Sequence, residues 1–253
     1  MIYLAFVTAF QSSRRDDAFT RYGAFLFVLA GVGIIVAIWA LGKALGRKRT
    51  QALADAAVRI GFVFGGEEWP DKGRAPVLET ALFGRGHGHE VKNILAGSAA
   101  GFRTSLFDYT FIQGTGRNSQ RYTQTVATFS KDGAYLPYFE LRPANLLSRA
   151  WDAVAHKDIR FDANPEFAQR YVLRGALPEK VRDLFTPGLI SFVEGLDARE
   201  KWHIEGADDM LIAYRMSKKV APDKLRDFLD QTSAIASGFF SFAGSPTTVT
   251  ATR

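Results

Sequence analysis

Cysteine is missing from this 253-residue chain altogether. That excludes disulfides, thiolate metal sites and a thiol nucleophile. Charge is missing from one stretch: residues 22–42, YGAFLFVLAGVGIIVAIWALG, carry none. An excess of positive charge is missing from residues 50–253, where 25 Lys and Arg face 24 Asp and Glu. The net charge of +6 therefore belongs almost entirely to the first 49 residues, through Arg14, Arg15, Arg21, Lys43, Arg47, Lys48 and Arg49 against Asp16 and Asp17. A chain with its cations parked there has no broad basic surface with which to neutralise phosphates, so nucleic acid is excluded as a partner.

Signature motifs are also lacking. No CxxC or HExxH appears. The glycine-rich GTGRN run at 114–118 lacks the Lys-Ser/Thr of a nucleotide-binding loop and opens no helix, so it reads as a hairpin tip. In GSAAG, residues 97–101, Ser98 directly follows glycine, which breaks the spacing of a nucleophile elbow. No metal, cofactor or catalytic residue is assigned on this basis. The nearest approach to a ligand pattern is His87-Gly88-His89-Glu90, where two imidazoles two apart on an extended chain would face the same way. With so many glycines around it, the run reads as a loop. Acidic residues gather at Asp158, Asp162 and Glu166 and at Glu205, Asp208 and Asp209. The expectation for both groups is ion-paired surface.

What is present is first of all the apolar run. At about 1.5 Å per residue a helix over 22–42 covers roughly 30 Å, the hydrocarbon thickness of a bilayer. It is too long for the core of a signal peptide, and Lys43 and Arg47-Lys48-Arg49 stand after it where a small-x-small cleavage site would be needed. A transmembrane helix over residues 22–45 is therefore expected, behind an N-terminal segment 1–21. The first ten residues, MIYLAFVTAF, are apolar but too short to span. They belong at the interface or to the end of an upstream membrane helix. Lys43, Arg47, Lys48 and Arg49 are placed at the membrane interface, where cations gain about 1 kcal/mol each near anionic lipid. Four cations after the run against three before it favour a cytoplasmic position for residues 46–253. Gly33 with Ala37, and Gly42 with Gly46, are small residues four apart that permit close approach of a second helix.

Residues 46–89 read as a juxtamembrane helix, with a stripe of Leu53, Ala56, Ala57 and Ile60, followed by glycine-rich loops. Residues 90–243 read as an α+β domain of antiparallel sheet packed with helices, either whole or in halves 90–157 and 158–243. Its expected strands are 101–112, with Phe107, Tyr109 and Phe111 on one face, then 121–129, 138–142, 158–162 and 169–174. A hairpin over 201–217 is expected to turn at Gly206. Helices are expected at 144–156, 178–185, 187–195 with Thr186 as N-cap and Pro187 in the first turn, and from Pro222 onward. The small polar residues 244–253 read as a disordered tail.

The run Asn164-Pro165-Glu166-Phe167-Ala168-Gln169-Arg170-Tyr171-Val172-Leu173, then Leu184-Phe185-Thr186-Pro187 and the hairpin 210–214, resembles the bacterial membrane-anchored proteins grouped as domain of unknown function 3137. Leu106-Phe107-Asp108-Tyr109 and Gln124-Thr125-Val126 are similar to strands in that group. The resemblance covers about residues 90–220. It implies an α+β region behind a hydrophobic segment and a bacterial inner-membrane setting, and it brings no catalytic residue. The partners expected are the lipid bilayer and a protein, which includes a second copy of the chain. Two functions stand at this point: a non-catalytic interaction module at the membrane face, and a membrane-tethered hydrolase with an acidic or histidine-containing pocket. Convergence of His89, His156 and a carboxylate would favour the second.

Overall fold

The computed structural model describes the backbone of residues 2–66, 80–144, 158–161 and 163–243, and side chains from residue 29 onward. The helix expected at 144–156, the loop around Trp69-Pro70, Asp162 and the tail 244–253 lie outside the described residues. The chain divides into two units, residues 1–51 and 52–253.

One α-helix, α1, runs through Ile2–Ile60 without a break. No proline interrupts it, and Gly61 ends it at a φ of 76°, the left-handed geometry that suits glycine after a helix. The Phe62 amide donates back to the Ala57 carbonyl at 2.8 Å, closing a C-terminal motif that satisfies the last turn. In the first unit the side chains from Leu29 to Leu45 are exposed along the helix (Ile35 67%, Ile38 66%, Trp39 66%). In the second unit the same helix turns inward: Leu53, Ala56 and Ala57 are buried and Ile60 packs against the core, which is the stripe that the three- and four-residue spacing indicates.

Among the described residues the second unit holds one eight-stranded sheet of the order β1-β2-β3-β4-β8-β7-β5-β6, with every pair antiparallel. The strands are β1 (Val63–Gly66), β2 (His87–Ala99), β3 (Phe102–Gln113), β4 (Gln120–Ser130), β5 (Leu136–Pro143), β6 (Tyr171–Gly175), β7 (Trp202–Asp208) and β8 (Met210–Arg215). Pairing of β4 with β8 joins the two halves of the sequence into one sheet, so the fold is α+β as expected. The helices described in this unit are the short α2 (Pro165–Arg170), α3 (Pro178–Leu184) and α4 (Pro187–Glu194) and a longer α5 (Leu225–Phe242). Thr186 caps α4, its hydroxyl accepting from the Leu189 amide, and Pro187 opens the first turn.

Both faces of the sheet are buried. The larger core joins Leu106, Phe129, Phe139, Leu141, Ile204 and Leu211 to the helices, with Val181, Leu189, Phe228 and Phe239 among the residues that meet them. The second, smaller core joins Phe107, Tyr109, Phe111, Val126, Met210, Ile212 and Tyr214 on the opposite face, with Leu82 over it. The alternation along β3 assigns these faces as its sequence indicates, Leu106 to one side and Phe107, Tyr109 and Phe111 to the other.

Several local expectations are corrected. Residues 158–161 form no strand, although the Ile159 amide bonds the Leu173 carbonyl at 2.8 Å. Gln169 and Arg170 end α2 rather than begin a strand, because Asn164-Pro165 starts a helix there that runs until Tyr171 turns extended. A strand, β1, stands within the stretch read as juxtamembrane helix and loops.

The hairpin does not turn at Gly206. It turns at Asp208-Asp209, with Asp208 at a φ of 54°, and Gly206 lies in mid-strand opposite Phe139. Glycine is needed there for space: a Cβ would meet the Phe139 ring at 2.3 Å. That ring also stacks on Phe239 at 5.5 Å and meets Phe185 edge-on at 5.4 Å, so it has no room to withdraw. Gly206→Ala is expected to lower stability by about 1–3 kcal/mol, the usual cost of overpacking, read as an earlier urea midpoint with unchanged slope.

Candidate functional site, a buried carboxylate cluster beneath a turn

On the smaller-core side of the sheet, the side chains of β5, β7 and β8 change from apolar to polar. β7 sends Trp202 and Ile204 to the larger core, so His203 and Glu205 face the other way. Glu140 of β5 lies directly opposite Glu205 in the register, and Tyr214 of β8 lies opposite His203. Two carboxylates and a phenol are thus placed together by strand pairing alone.

Glu205 is 1% exposed. Its Oε1 accepts from the Tyr214 hydroxyl at 2.7 Å and its Oε2 from the backbone amide of Leu82 at 3.0 Å. Glu140 is ion-paired with Arg85 and lies 3.5 Å from Arg142 Nε. Leu82 and Arg85 come from residues 80–86, a turn held by the Thr80 carbonyl accepting from the amides of Phe83 and Gly84. Phe83 stacks on Tyr109 with ring centroids 4.3 Å apart, and the Tyr109 hydroxyl is 2.7 Å from His89 Nδ1.

Burial, and then the charge of Glu140, push the Glu205 carboxyl up to about 7, against the pull of Arg85 and its two donors. Burial, and then Arg85 and Arg142, hold His203 down at about 3, so its imidazole is neutral at ordinary pH. Its Nδ1 is closed off from solvent without a hydrogen-bond partner among the described residues, and its ring stacks on Tyr214 at 5.0 Å. Burial followed by the Glu205 charge also raises Tyr214 well above the ordinary phenol value. The arrangement can hold or release one proton on Glu205 near neutrality. Both oxygens of that carboxylate are already engaged by protein donors.

A different polar contact lies on the helix-covered face. Asp108 accepts from Asn93 Nδ2 at 3.0 Å and from the Thr125 hydroxyl at 2.9 Å, and Thr125 in turn accepts from the Val220 amide at 2.9 Å. This network ties β2, β3 and β4 to the segment ahead of α5. Asn93 sits at a φ of 56° beside the register shift in β2 that turns its side chain toward Asp108.

Of the residues singled out from sequence, Lys43, Arg47 and Lys48 are exposed on α1, with Lys43 Nζ 5.0 Å over the Trp39 ring, and Arg49 is half-buried. Gly33, Ala37, Gly42 and Gly46 are exposed, and a Cβ on any of the three glycines would meet open space. At about 100° per residue the Gly33/Ala37 pair and the Gly42/Gly46 pair lie roughly 180° apart, so they form two patches rather than one stripe.

His87 and His89 are exposed at the start of β2, but Gly88 at a φ of 64° and a register shift before Glu90 break the alternation that would align them. Asp158 pairs with Arg174 at 2.9 Å and Glu166 is exposed, so those two do not converge. Asp209 pairs with Arg103 at 3.3 Å, and Asp208 is exposed in the turn. His156 lies outside the described residues. Among the described residues no group of three or more His, Asp or Glu is placed to hold a metal ion.

Sequence reasoning placed Glu205 in a surface acidic group and did not reach Glu140, Arg85, Arg142 or Tyr214. One signal was available: alternation in WHIEGAD and in MLIAYR sends Glu205 and Tyr214 to a common face once the hairpin register is known.

No family model matches the chain, and no curated protein matches it by sequence. Its fold is similar to the crystal structure of the mycobacterial trehalose monomycolate transport factor A, TtfA, with a TM-score of 0.52 and 9% sequence identity. The match covers 79% of this chain and 98% of that one. At this identity the likeness is one of fold.

The two displaced titrations have opposite signs. Glu205 carries a folded value of about 7 above its ordinary 4.5, so its contribution is present in acid and is lost as pH rises from 4.5 to 7. His203, held near 3 below its ordinary 6.5, contributes stability that is lost as pH falls through that window. Between pH 4.5 and 6.5 the two largely cancel. His203→Gln is expected to expose a stability that declines by about 3 kcal/mol from pH 4.5 to 7, and Glu205→Gln one that rises from pH 3 to 6.5. Urea midpoints of each variant across pH, subtracted from those of the native chain, check both slopes.

Proposed function

We propose that this protein is a single-pass membrane-anchored module whose α+β region binds a partner at the membrane face without catalysing a reaction. The observation that carries the proposal is the apolar part of α1. Within Leu29–Ile60 an 18-residue window reaches a mean hydropathy of 1.9 with no share buried. The residues concerned are large aliphatics and a tryptophan, exposed on every side of the helix. Length and composition alone also admit an N-terminal signal sequence. An anchor is supported by the unbroken helix through Lys43 and Arg47 and by an apolar run longer than the core of a signal peptide.

The non-catalytic reading draws support from Glu205, whose two oxygens are both occupied by Tyr214 and Leu82 donors. A fold shared with a transport factor is compatible with such a role. The resemblance to the domain of unknown function 3137 group belongs to the same proposal and suggests a bacterial inner membrane. The cation margin across the helix favours a cytoplasmic α+β region. A homodimer would use the Gly33/Ala37 patch or the Gly42/Gly46 patch, and one interface cannot use both.

The full chain is expected to remain with membranes through an alkaline carbonate wash and to leave them in detergent. Replacing Ile35 and Ile38 with lysine places two charges near the bilayer centre, at roughly 2.5–3.5 kcal/mol each, and is expected to release the chain. Recovery of the native protein in the soluble fraction, with or without loss of residues 1–49 by mass, would overturn the anchor. A reporter fused after Arg253 that fluoresces only in the cytoplasm tests the orientation, and a dark fusion would reverse it.

A further inference from the structure

We propose that residues 80–86 form a strap over the smaller core, latched by Glu205 and Glu140, and that lifting this strap is coupled to loss of a proton from Glu205. Several specific contacts hold it. Leu82 is fully buried and its amide donates to Glu205 Oε2 at 3.0 Å. Phe83 lies against Tyr109, and Arg85 pairs with Glu140. At the far end Gly86, at a φ of 64°, lies so close to β3 that a Cβ would meet the Ile112 carbonyl oxygen at 2.1 Å, which fixes one end of the strap to the sheet.

The groups that face Glu205 come from every element around it. They are Tyr214 from β8, His203 from β7, Tyr138, Glu140 and Arg142 from β5, Tyr109 from β3 and Arg85 from the strap itself. With the strap down, the Glu205 carboxyl is shut from water and retains its proton up to about pH 7. With the strap up, water replaces the Leu82 amide, and the group returns toward the ordinary 4.5. The closed state therefore binds the proton more tightly, and raising the pH from 4.5 to 7 favours opening. Through Glu205, acid holds the strap shut and neutrality loosens it, lifting Leu82 from the smaller core and Phe83 from the Tyr109 ring; below pH 6.5 protonation of His203, which Arg85 helps to hold neutral, works against this.

Glu205→Gln imitates the protonated state at every pH, since its amide accepts from Leu82 and donates to Tyr214. Hydrogen exchange at the residue 82 amide of the full chain in detergent micelles, normalised to the intrinsic rate, gives the opening constant. The ratio of native to Glu205→Gln opening constants is expected to rise at least tenfold between pH 5 and 7. In that ratio the contribution of His203 cancels. A ratio that stays constant across the range overturns the proposal.

Tyr214→Phe provides a second arm should the glutamine variant fail to fold. Loss of the hydroxyl donor disfavours the buried carboxylate further, so the rise in opening is expected to continue to higher pH than in the native chain before it levels off. An opening curve identical to the native one overturns the coupling as well.

Discussion

The middle of α1 presents apolar side chains on every side. From Leu29 to Leu45, nine large apolar side chains stand more than half exposed on a helix without a break. Covering such a set yields on the order of 10 kcal/mol or more, comparable with the whole stability of a typical domain. Helical hydrogen bonding already satisfies the backbone of this stretch, which is the condition for entering hydrocarbon. The apolar surface runs around the helix rather than along one stripe, the pattern of a helix covered on every side, by lipid or by protein. Residues 52–60 of the same helix make the contrast: there the stripe is one-sided, and Leu53, Ala56 and Ala57 are packed. One continuous element thus passes from one kind of solvent requirement to another.

The folded unit answers a different constraint, that a sheet with two apolar faces must be covered twice. Helices do this on one side. On the other, the cover that can be described is the turn at residues 80–86, which brings one fully buried leucine and an aromatic ring. So short a segment cannot be held by apolar area alone. It is held by a backbone amide on Glu205 and a guanidinium on Glu140, and these bonds bring charge beneath it. The cost of that burial is seen in the displaced titrations of Glu205 and His203. The polarity of this face is therefore bound up with how the turn is attached.

Much of the fold was legible because its determinants are local. The alternation in GFRTSLFDYTFI, the turn-rich QGTGRNSQ after it, the Thr186-Pro187 start of α4 and the stripe of Leu225, Phe228 and Leu229 are each written in consecutive residues. What sequence misread depended mostly on distant partners, and in one place on a nearby proline. Gly206 carries the composition of a turn, but its reason is the Phe139 ring opposite, a residue from another strand. Gln169-Arg170-Tyr171 alternates like a strand, yet the proline before it commits the first two to a helix. The carboxylate cluster was the least legible. Glu140, Arg85 and Glu205 meet only through the β5–β7 register and the placement of the turn, and no spacing along the chain reports either.

The chain's lack of cysteine makes the central claim directly measurable. Single cysteines can be placed one at a time at residues 22–49 and tested in intact membranes with a water-soluble maleimide. The account predicts protection through residues 22–42 and reaction at 47–49 once the membrane is made permeable. Uniform labelling along the whole stretch would contradict it, and would mean that the helix lies in water or against protein instead of in lipid.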